Sequence, residues 1–319
     1  MTKHERSNGD EDDLGADTFE RIGRRDARVR SHVRGRLTEK ARERLADRPD
    51  DPSDDLPDEG DRWSGWLDAD ARGPEPVPDW VLTTDAAVDT DLGVLKTGKE
   101  ADVALVERHV PRHGDWCLLA VKRYRTTEHR LFHRDASYLE GRRMKESRAT
   151  RAVANRTNFG RNLIAQQWAV AEFEALSNLY LSGVPVPYPV QRTGTDLLLE
   201  FIGEPDGTAA PRLAELRMDR TELSTLWDRL FAAMASMAAA GFTHGDLSPY
   251  NVLVHQGEPV LIDVPQLVDL VMNPAGLEML ERDVRNVGNW FAQRGVESAA
   301  DTGHYVDALL EAAGLPPRS

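Results

Sequence analysis

The stretch FTHGDLSPYNVLVHQGEPVLIDV, residues 242–264, places three oxygen-bearing side chains where a loop meets a short strand. Asp246 and Asn251 lie five positions apart in a loop-forming segment, and Asp263 follows the apolar run of a predicted strand. A carboxylate beside a hydroxyl group can accept its proton, while an amide oxygen and a second carboxylate can hold Mg²⁺ against nucleotide phosphates. The pattern therefore predicts that these three side chains converge on one site.

A turn between two strand-like runs lies upstream of this stretch. From Trp63 onward, short β-prone runs separated by glycine-containing turns predict an antiparallel sheet. Within it, LKTGKEADVALV places Thr97, Gly98 and Lys99 at a turn, and AVK places Lys122 on the following strand. Backbone N–H groups of such a turn can bind phosphates, and the lysine can reach them as a point charge. The alternative is an ordinary hairpin glycine and a solvated lysine at a strand end.

The segment NLIAQQWAVAEFEALSNLYLSG, residues 162–183, has apolar residues at helical spacing, with Gly183 and then Pro185 as a stop signal. Within this predicted helix, Glu172 is either a partly exposed residue or an ion-pair partner that fixes Lys122. Further along, DLLLEFIGEP predicts a strand leading into a connector. The run RTELSTLWDRLFAAMASMAAAGFTHGD predicts a long amphipathic helix that leads into the loop of Asp246.

The order of these motifs matches the protein-kinase signature, in which Asp and Asn five residues later precede a metal-binding aspartate at a strand end. In its details the chain resembles the RIO family of atypical protein kinases. KTGKEADV is similar to that family's phosphate-binding loop, AVKRYR carries the matching lysine, and HGDLSPYNVLV and LIDVPQ resemble its catalytic and metal loops. SGVPVPYPV and LLLEFIG resemble the stretch before the hinge and the hinge itself. The resemblance covers about residues 90–295.

This resemblance implies a fold and a set of roles. The fold is α/β, more narrowly α+β: a two-lobed protein-kinase-like fold whose N-lobe has an antiparallel sheet and a helix, and whose reduced C-lobe is mostly helical. It implies that Lys122 pairs with Glu172, that Asp246 and Lys122 are catalytic, and that Asn251 and Asp263 bind the metal. The implied cofactors are ATP and Mg²⁺ or Mn²⁺. The residues implied to contact the nucleotide are Thr97, Gly98, Lys99, Glu100, Val103, Lys122, Glu172, Glu200 and Ile202.

The resulting hypothesis is an ATP-dependent serine/threonine protein kinase of RIO type that also phosphorylates itself. Two alternatives stay open. One is an ATP-hydrolysing conformational switch in the assembly of ribosomes or other ribonucleoprotein particles. The other is a small-molecule phosphotransferase, because such enzymes share the Asp-x-x-x-x-Asn loop, although the TGKEADV turn argues against it.

Residues 1–62 differ in composition from the rest of the chain. They carry 18 acidic and 14 basic side chains and few apolar ones, too little apolar surface to offset the entropy of ordering. We predict a largely disordered arm, with an ordered helical arm as the alternative. The arm is too charged for the winged helix of the family's second subtype, so the shorter first subtype is the better match. The kinase domain is predicted over residues 63–319, with the N-lobe at about 80–200 and the C-lobe at about 204–319.

Composition limits the remaining classes of function. A single cysteine, Cys117, excludes an internal disulfide and a multi-cysteine metal site. No apolar run approaches the roughly 20 residues that span a bilayer, and the N-terminus lacks the apolar segment of a signal peptide. These features predict a cytoplasmic protein without membrane contact.

The charge of the chain is unevenly distributed. The net charge of −14 argues against general nucleic-acid binding, yet residues 123–161 carry 11 basic and 4 acidic side chains. This segment is either a solvated loop or a basic surface for RNA or an acidic partner, with Phe132 and Tyr138 available for stacking. The family resemblance implies partners linked to the ribosome.

Overall fold

The computed structural model describes residues 60–125, 158–264 and 267–318, all within the unit that spans residues 35–319. The predicted disordered arm therefore lies outside the described residues, except for residues 60–62. Most of the basic segment 123–161 also lies outside them. Within the described ranges, no helix is long and apolar enough to cross a membrane.

Three long strands form the centre of the N-lobe: β3 (Val88–Thr97), β4 (Ala101–His109) and β5 (Trp116–Tyr124). Each is antiparallel to the next, so the sheet predicted from the alternating runs is confirmed. β4 and β5 pair without interruption, and Val103 lies opposite Lys122. The turn between β3 and β4 is where the sequence places the phosphate-binding motif.

Four further strands extend this sheet: β1 (Arg62–Trp63), β2 (Ala71–Arg72), β6 (Pro189–Thr193) and β7 (Asp196–Glu200). Over the described residues the sheet contains seven strands in the order β1-β3-β4-β5-β7-β6-β2. The two edge strands come from a segment that precedes the predicted start of the N-lobe near residue 80. The sheet thus begins at Arg62, which pairs with Asp89 of β3.

A buried arginine fixes this N-terminal segment to the sheet. Arg108 of β4 is fully buried, and its guanidinium donates to the Asp89 carboxylate at 2.7 Å and to the Gln191 side chain at 2.9 Å. It also donates to the backbone oxygen of Ser64 at 3.1 Å. A buried charge is tolerated only when it is paired and hydrogen-bonded, so this network sets the register of β1 against the lobe.

The N-lobe helix α1 (Asn158–Leu181) covers the predicted helical stretch up to Leu181 and ends two residues before Gly183, which has a φ of +73°. Phe173, Leu176 and Leu179 lie on its buried side. These residues belong to the same hydrophobic core as Leu197 of β7 and Leu230 of the C-lobe. The core is therefore continuous between the lobes, which holds the helix that carries Glu172 against the sheet.

The C-lobe is mostly helical, as predicted. Its elements are α2 (Arg220–Ala239), β8 (Phe242–Thr243), β9 (Val252–His255), β10 (Glu258–Leu261), β11 (Val268–Asp269), α3 (Gly276–Ala292) and α4 (Thr302–Ala312), with short 3₁₀ helices at Leu213–Glu215 and Glu297–Ala300. Asp219 begins α2 with a capping box, in which it accepts from the Glu222 N–H while Glu222 accepts from the Asp219 N–H. The predicted amphipathic helix is thus confirmed, and it leads directly into the loop of Asp246.

Candidate active site

The ammonium group of Lys122 joins the two lobes. Its Nζ atom lies 2.6 Å from Oε1 of Glu172 on α1 and 2.7 Å from Oδ1 of Asp263, which follows β10. Glu172 is buried, whereas the Asp263 side chain is 45% exposed. The Lys122–Glu172 pair implied by the family resemblance is therefore present, and Asp263 contacts the same ammonium group.

The charges of this cluster reinforce one another. Burial alone would lower the pKa of Lys122, but the Glu172 and Asp263 carboxylates outweigh that effect and raise its pKa above the ordinary value. The Lys122 ammonium in turn lowers the pKa of Asp263 to about 2. The lysine is therefore charged and Asp263 is ionised at neutral pH, the states required to hold a phosphate and a cation.

Tyr124, which sequence reasoning did not select, holds the other oxygen of Glu172. It lies two positions after Lys122 on β5, hence on the same face of the strand, and its hydroxyl donates to Oε2 of Glu172. Burial and the Glu172 carboxylate raise the pKa of Tyr124 well above its ordinary value, so the phenol stays a donor. Only its place in AVKRYR, two residues from the lysine, could have pointed to this role.

The turn that joins β3 and β4 has the tight geometry that its glycine requires. The Gly98 N–H donates to the Ala101 carbonyl oxygen at 2.9 Å, and a Cβ atom at Gly98 would lie 2.7 Å from that oxygen. Glu100 accepts through its carbonyl oxygen from the Arg125 N–H at 2.8 Å. Gly98 is therefore needed for the hairpin itself.

The residues on either side of Gly98 are exposed. Thr97 and Lys99 lie at the surface of the turn, and no contact places them beside Asp246 or Asp263. Val103, in contrast, lies between Lys96 and Lys122 in the sheet register. Of the predicted phosphate-loop residues, Val103 is thus the one that the sheet brings directly next to the lysine.

The loop between β8 and β9 carries Asp246 and Asn251, as predicted. Asp246 is exposed, and its carbonyl oxygen accepts a hydrogen bond of 3.0 Å from Nδ2 of the buried Asn251. The Asn251 carbonyl oxygen accepts from the N–H of Ile262 at 3.0 Å. Asn251 therefore connects the Asp246 loop to the residue that precedes Asp263, and its nitrogen is engaged while its side-chain oxygen is left for a cation.

Asp263 reaches the cluster through a hairpin with a special backbone. Gln256 and Gly257, between β9 and β10, both have positive φ, of 52° and 80°, as a two-residue hairpin turn favours. Asp263 itself has a φ of 68°, an uncommon conformation for a residue other than glycine that concentrates at functional sites. The backbone bends at Asp263 and directs its carboxylate toward Lys122.

A buried aspartate, Asp283 of α3, holds the loop of Asp246 and was missed by sequence reasoning. It accepts hydrogen bonds from the Thr243 hydroxyl at 2.9 Å, the Gly245 N–H at 2.7 Å and the Leu247 N–H at 2.9 Å. Burial raises its pKa, although the charge of His244 and these donors counteract the effect. Asp283 therefore fixes the backbone on both sides of Asp246.

Two further contacts from α3 support the same loop. Arg282 donates to the carbonyl oxygen of Gly245, and Asn286 donates to that of Leu247 at 3.1 Å. The position of Asp283 among the apolar residues of α3 was the available sequence signal, since a carboxylate at a core position needs partners.

Of the predicted hinge residues, Glu200 is the last residue of β7 and Ile202 lies two positions further along the chain. Oε2 of Glu200 accepts from the Tyr188 N–H at 3.0 Å, and the Glu200 N–H donates to the Tyr188 carbonyl oxygen at 2.8 Å. Burial raises the pKa of Glu200. The Ile202 carbonyl oxygen accepts from the Ala210 N–H at 2.9 Å. The side chain and N–H of Glu200 and the carbonyl oxygen of Ile202 are therefore engaged within the fold.

The side-chain oxygens of Asn251 and Asp263 are of the kind that bind a hard cation. Within the described ranges, no group of three or more His, Cys, Asp or Glu side chains could hold a metal. A cation here would therefore take one carboxylate from Asp263 and the amide oxygen of Asn251, and would complete its shell with phosphate oxygens and water. Mg²⁺ prefers this arrangement, with one or two carboxylates plus substrate phosphates.

These features define a two-lobed protein-kinase-like scaffold, and comparison with known proteins gives its family. A model described as the RIO domain matches residues 109–304, more than half of the chain. Rio1 of Haloferax volcanii, named a RIO-type serine/threonine-protein kinase, is 34% identical over 222 residues, which is 69% of this chain and 70% of that protein. The chain belongs to the RIO family of serine/threonine protein kinases.

Eukaryotic relatives match over a smaller share of their length. RIO1 of Chaetomium thermophilum is 33% identical over 220 residues, 66% of this chain and 40% of that protein. Human RIO3 is 32% identical over 225 residues, 68% of this chain and 41% of that protein. The solved Rio2 kinase–ADP/Mg²⁺–phosphoaspartate complex from Chaetomium thermophilum has a TM-score of 0.47 and 22% identity, and the match covers 69% of this chain and 65% of that one.

Proposed function

We propose that this chain transfers the terminal phosphate of ATP to serine and threonine hydroxyls of proteins, including its own. The observation that carries the proposal is the position of Lys122, whose ammonium lies within 2.7 Å of both the helix carboxylate Glu172 and Asp263. An active kinase needs a lysine–glutamate ion pair and a metal-binding aspartate in place together, and Lys122 brings these two carboxylates to one point. The relatives named serine/threonine kinases support the choice of acceptor.

Each residue has a separate task in this proposal. Lys122, fixed by Glu172, holds the nucleotide phosphates as a point charge. Asp246, exposed on a loop whose backbone is fixed by Asp283, accepts the proton of the acceptor hydroxyl. Asn251 and Asp263 supply the protein ligands of Mg²⁺, or of Mn²⁺. When bound at these residues, ATP would supply the phosphoryl group and the metal would neutralise charge on the phosphate oxygens.

Residues 97–103 and the hinge bind the nucleotide in this proposal. Thr97, Gly98, Lys99 and Glu100 contribute through the turn backbone and the exposed side chains. Val103 packs beside Lys122, where it can contact the base or ribose. Glu200 and Ile202 contribute through the backbone of the hinge, because the Glu200 carboxylate already binds the Tyr188 N–H.

The test separates nucleotide binding from chemistry. Asp246→Asn should retain affinity for ATP with Mg²⁺ and lower phosphate transfer by about 10²- to 10⁴-fold, the loss typical of removing a positioned general base. Asn251→Ala should weaken both binding and transfer, since it removes a ligand of the cation. The measurements are calorimetric nucleotide affinity and radiolabelled transfer, to a protein acceptor and to the chain itself, together with release of ADP in the absence of an added acceptor.

The matched control is Asp228→Asn on α2, where the aspartate is exposed; binding and transfer should both equal those of the wild type. If Asp246→Asn transfers phosphate as fast as the wild type, Asp246 is not the base. If ADP is released rapidly while no protein is labelled, the working activity is ATP hydrolysis.

Partner and location belong to the same proposal. The basic segment 123–161 is offered as a surface for a ribosomal or RNA-associated partner because of its local positive charge; residues 126–157 of it lie outside the described residues. We place the protein in the cytoplasm. Labelling of the purified chain by ATP alone would support the chain itself as one acceptor.

A further inference from the structure

Lys96 lies in the same row of the sheet as Lys122. In the register of the three central strands, Lys96 of β3 is opposite Val103 of β4, and Val103 is opposite Lys122 of β5. Directly opposed residues of antiparallel strands point to the same face, so both lysines face the cleft. With about 4.8 Å between neighbouring strands, their backbones are separated by roughly 10 Å.

The two lysines of this row lie at different distances from the hinge. Leu197 of β7, the strand that ends at the hinge, lies opposite Lys122. From the hinge strand, therefore, Lys122 comes first and Lys96 comes two strands further away. A nucleotide bound at the hinge that extends its phosphates past Lys122 directs its outermost phosphate toward Lys96.

Arg212, in the C-lobe, lies close to the same part of the candidate site. It precedes the 3₁₀ helix Leu213–Glu215 and forms an isolated antiparallel bridge with Leu253 of β9. Its guanidinium donates to the carbonyl oxygen of Tyr250 at 2.7 Å, and Tyr250 immediately precedes Asn251. Arg212 is thus fixed beside the catalytic loop, with donors left over for another acceptor.

Lys122 forms ion pairs with two carboxylates. The Glu215 carboxylate interacts electrostatically with Arg212 and partly offsets the effect of burial on the pKa of the arginine. Lys96 as a residue is exposed, and partial desolvation of its ammonium, together with the positive charges of Arg212 and Lys122, lowers its pKa; burial lowers the pKa of Arg212. Both interact electrostatically with Asp263. Lys96, Arg212 and Lys122 therefore all contribute positive charge at the metal-ligand candidate Asp263.

We infer that Lys96 and Arg212 form a clamp, one cation from each lobe, which binds the terminal phosphate of a nucleoside triphosphate and so distinguishes it from a diphosphate. This inference rests on the proposed function and adds specificity to the same site. Lys122 and the metal ligands hold the inner phosphates, which ATP and ADP share. The clamp holds the phosphate that is transferred, and its contacts end once that phosphate has left the nucleotide.

The experiment compares ATP with ADP, each with Mg²⁺, by calorimetry on the full chain. Lys96→Gln and Arg212→Gln should each weaken ATP binding by about tenfold, the scale of one charge-assisted hydrogen bond, and change ADP binding by less than threefold. The preference for ATP should fall accordingly. Arg212→Lys, which keeps the charge but loses the fork of donors, should fall between Arg212→Gln and the wild type.

Two nearby cations serve as controls. Arg123 is next to Lys122 on β5 and points to the opposite face, where it contacts Asp91 and Asp196. Arg217 is exposed just after the 3₁₀ helix. Arg123→Gln and Arg217→Gln should leave the ratio of ATP to ADP affinity unchanged. That result would show that the weaker ATP binding of the clamp variants does not come from loss of positive charge in general.

The outcomes separate this inference from the proposed function. Equal weakening of ATP and ADP in Lys96→Gln and Arg212→Gln, or unchanged affinity for both, overturns the clamp. If the wild type also transfers phosphate, the proposed function stands without it. If the wild type binds neither nucleotide, both fail. Melting temperatures within a few degrees of the wild type establish that the variants are folded.

Discussion

At the level of single side chains, Glu172 divides its two carboxylate oxygens between two donors, Lys122 and Tyr124. Tyr124→Phe keeps the buried ring and removes the hydroxyl, which leaves one oxygen of a buried carboxylate without that donor. We expect a loss of about 1.5–3 kcal/mol in the free energy of unfolding, the range for hydrogen bonds to charged groups. The rate of phosphate transfer should fall about tenfold, since Glu172 no longer fixes Lys122 as firmly. Urea unfolding and radiolabelled transfer measure the two effects.

Tyr188→Phe is the matched control for this prediction. Its hydroxyl also makes one hydrogen bond in the N-lobe, of 3.0 Å to the Pro74 carbonyl oxygen, but that acceptor is neutral and is not part of the site. The variant should lose about 0.5–1.5 kcal/mol of stability and transfer phosphate at the wild-type rate. Equal transfer rates in Tyr124→Phe and Tyr188→Phe would show that the Tyr124 contact is structural only.

The sequence allowed some of these residues to be predicted and not others. Asp246, Asn251 and Asp263 lie in one short stretch whose spacing reflects a local loop and a strand end, so the pattern points to them, whereas Lys122 was selected by the resemblance of AVKRYR to the family's lysine strand. The Tyr124–Glu172 contact joins residues 48 positions apart. Because such contacts depend on how the helix packs against the sheet, no local pattern reveals them.

At the level of elements, helix α3 determines the shape of the catalytic loop through Asp283. Asp283→Ala leaves three donors of a buried loop without their acceptor. We expect a loss of about 3–5 kcal/mol in the free energy of unfolding, the range for breaking a buried charged network. Phosphate transfer should fall together with stability, because the loop no longer holds Asp246. Asp283→Asn, which keeps one acceptor oxygen, should be intermediate in both measurements.

Arg285→Gln on the same helix controls for a general effect on α3. Arg285 is exposed and forms a surface ion pair of 3.8 Å with Glu281, a type of contact worth about 0–1 kcal/mol. The variant should retain wild-type transfer. Should Asp283→Ala be as active as Arg285→Gln, the loop would not depend on Asp283.

The strand register limits what sequence can establish at this scale. The β-prone runs and glycine turns predicted β3, β4 and β5, since alternating burial is a local property of each strand. That Lys96 and Lys122 lie in one row required the pairing itself, because a shift by one residue would turn Lys96 to the other face. The edge strands β1 and β2 have only two residues each, too short to show alternation.

At the level of the whole molecule, the ion pair between Lys122 and Asp263 links the sheet to the C-lobe and makes stability depend on pH. The pKa of Asp263 is about 2 in the folded protein, against an ordinary value of 3.8. A carboxyl group with a lowered pKa stabilises the fold above its unfolded pKa and loses this contribution as the pH falls toward the folded value. The raised pKa of Lys122 keeps the lysine charged throughout this range. The pair therefore weakens between about pH 4 and pH 2.

We predict that the difference in stability between the wild type and Asp263→Asn becomes smaller as the pH falls. Asp263→Asn should unfold at a lower urea concentration than the wild type at pH 6, because the charge pair is absent. The difference between their midpoints should shrink as the pH is lowered from 5 to 3, since protonation begins to remove the same charge from the wild type. Effects of distant carboxylates are common to both proteins and cancel in the difference. Asp228→Asn should match the wild type at every pH, and a difference for Asp263→Asn that stays constant down to pH 3 would show that the pair does not stabilise the fold through the charge of Asp263.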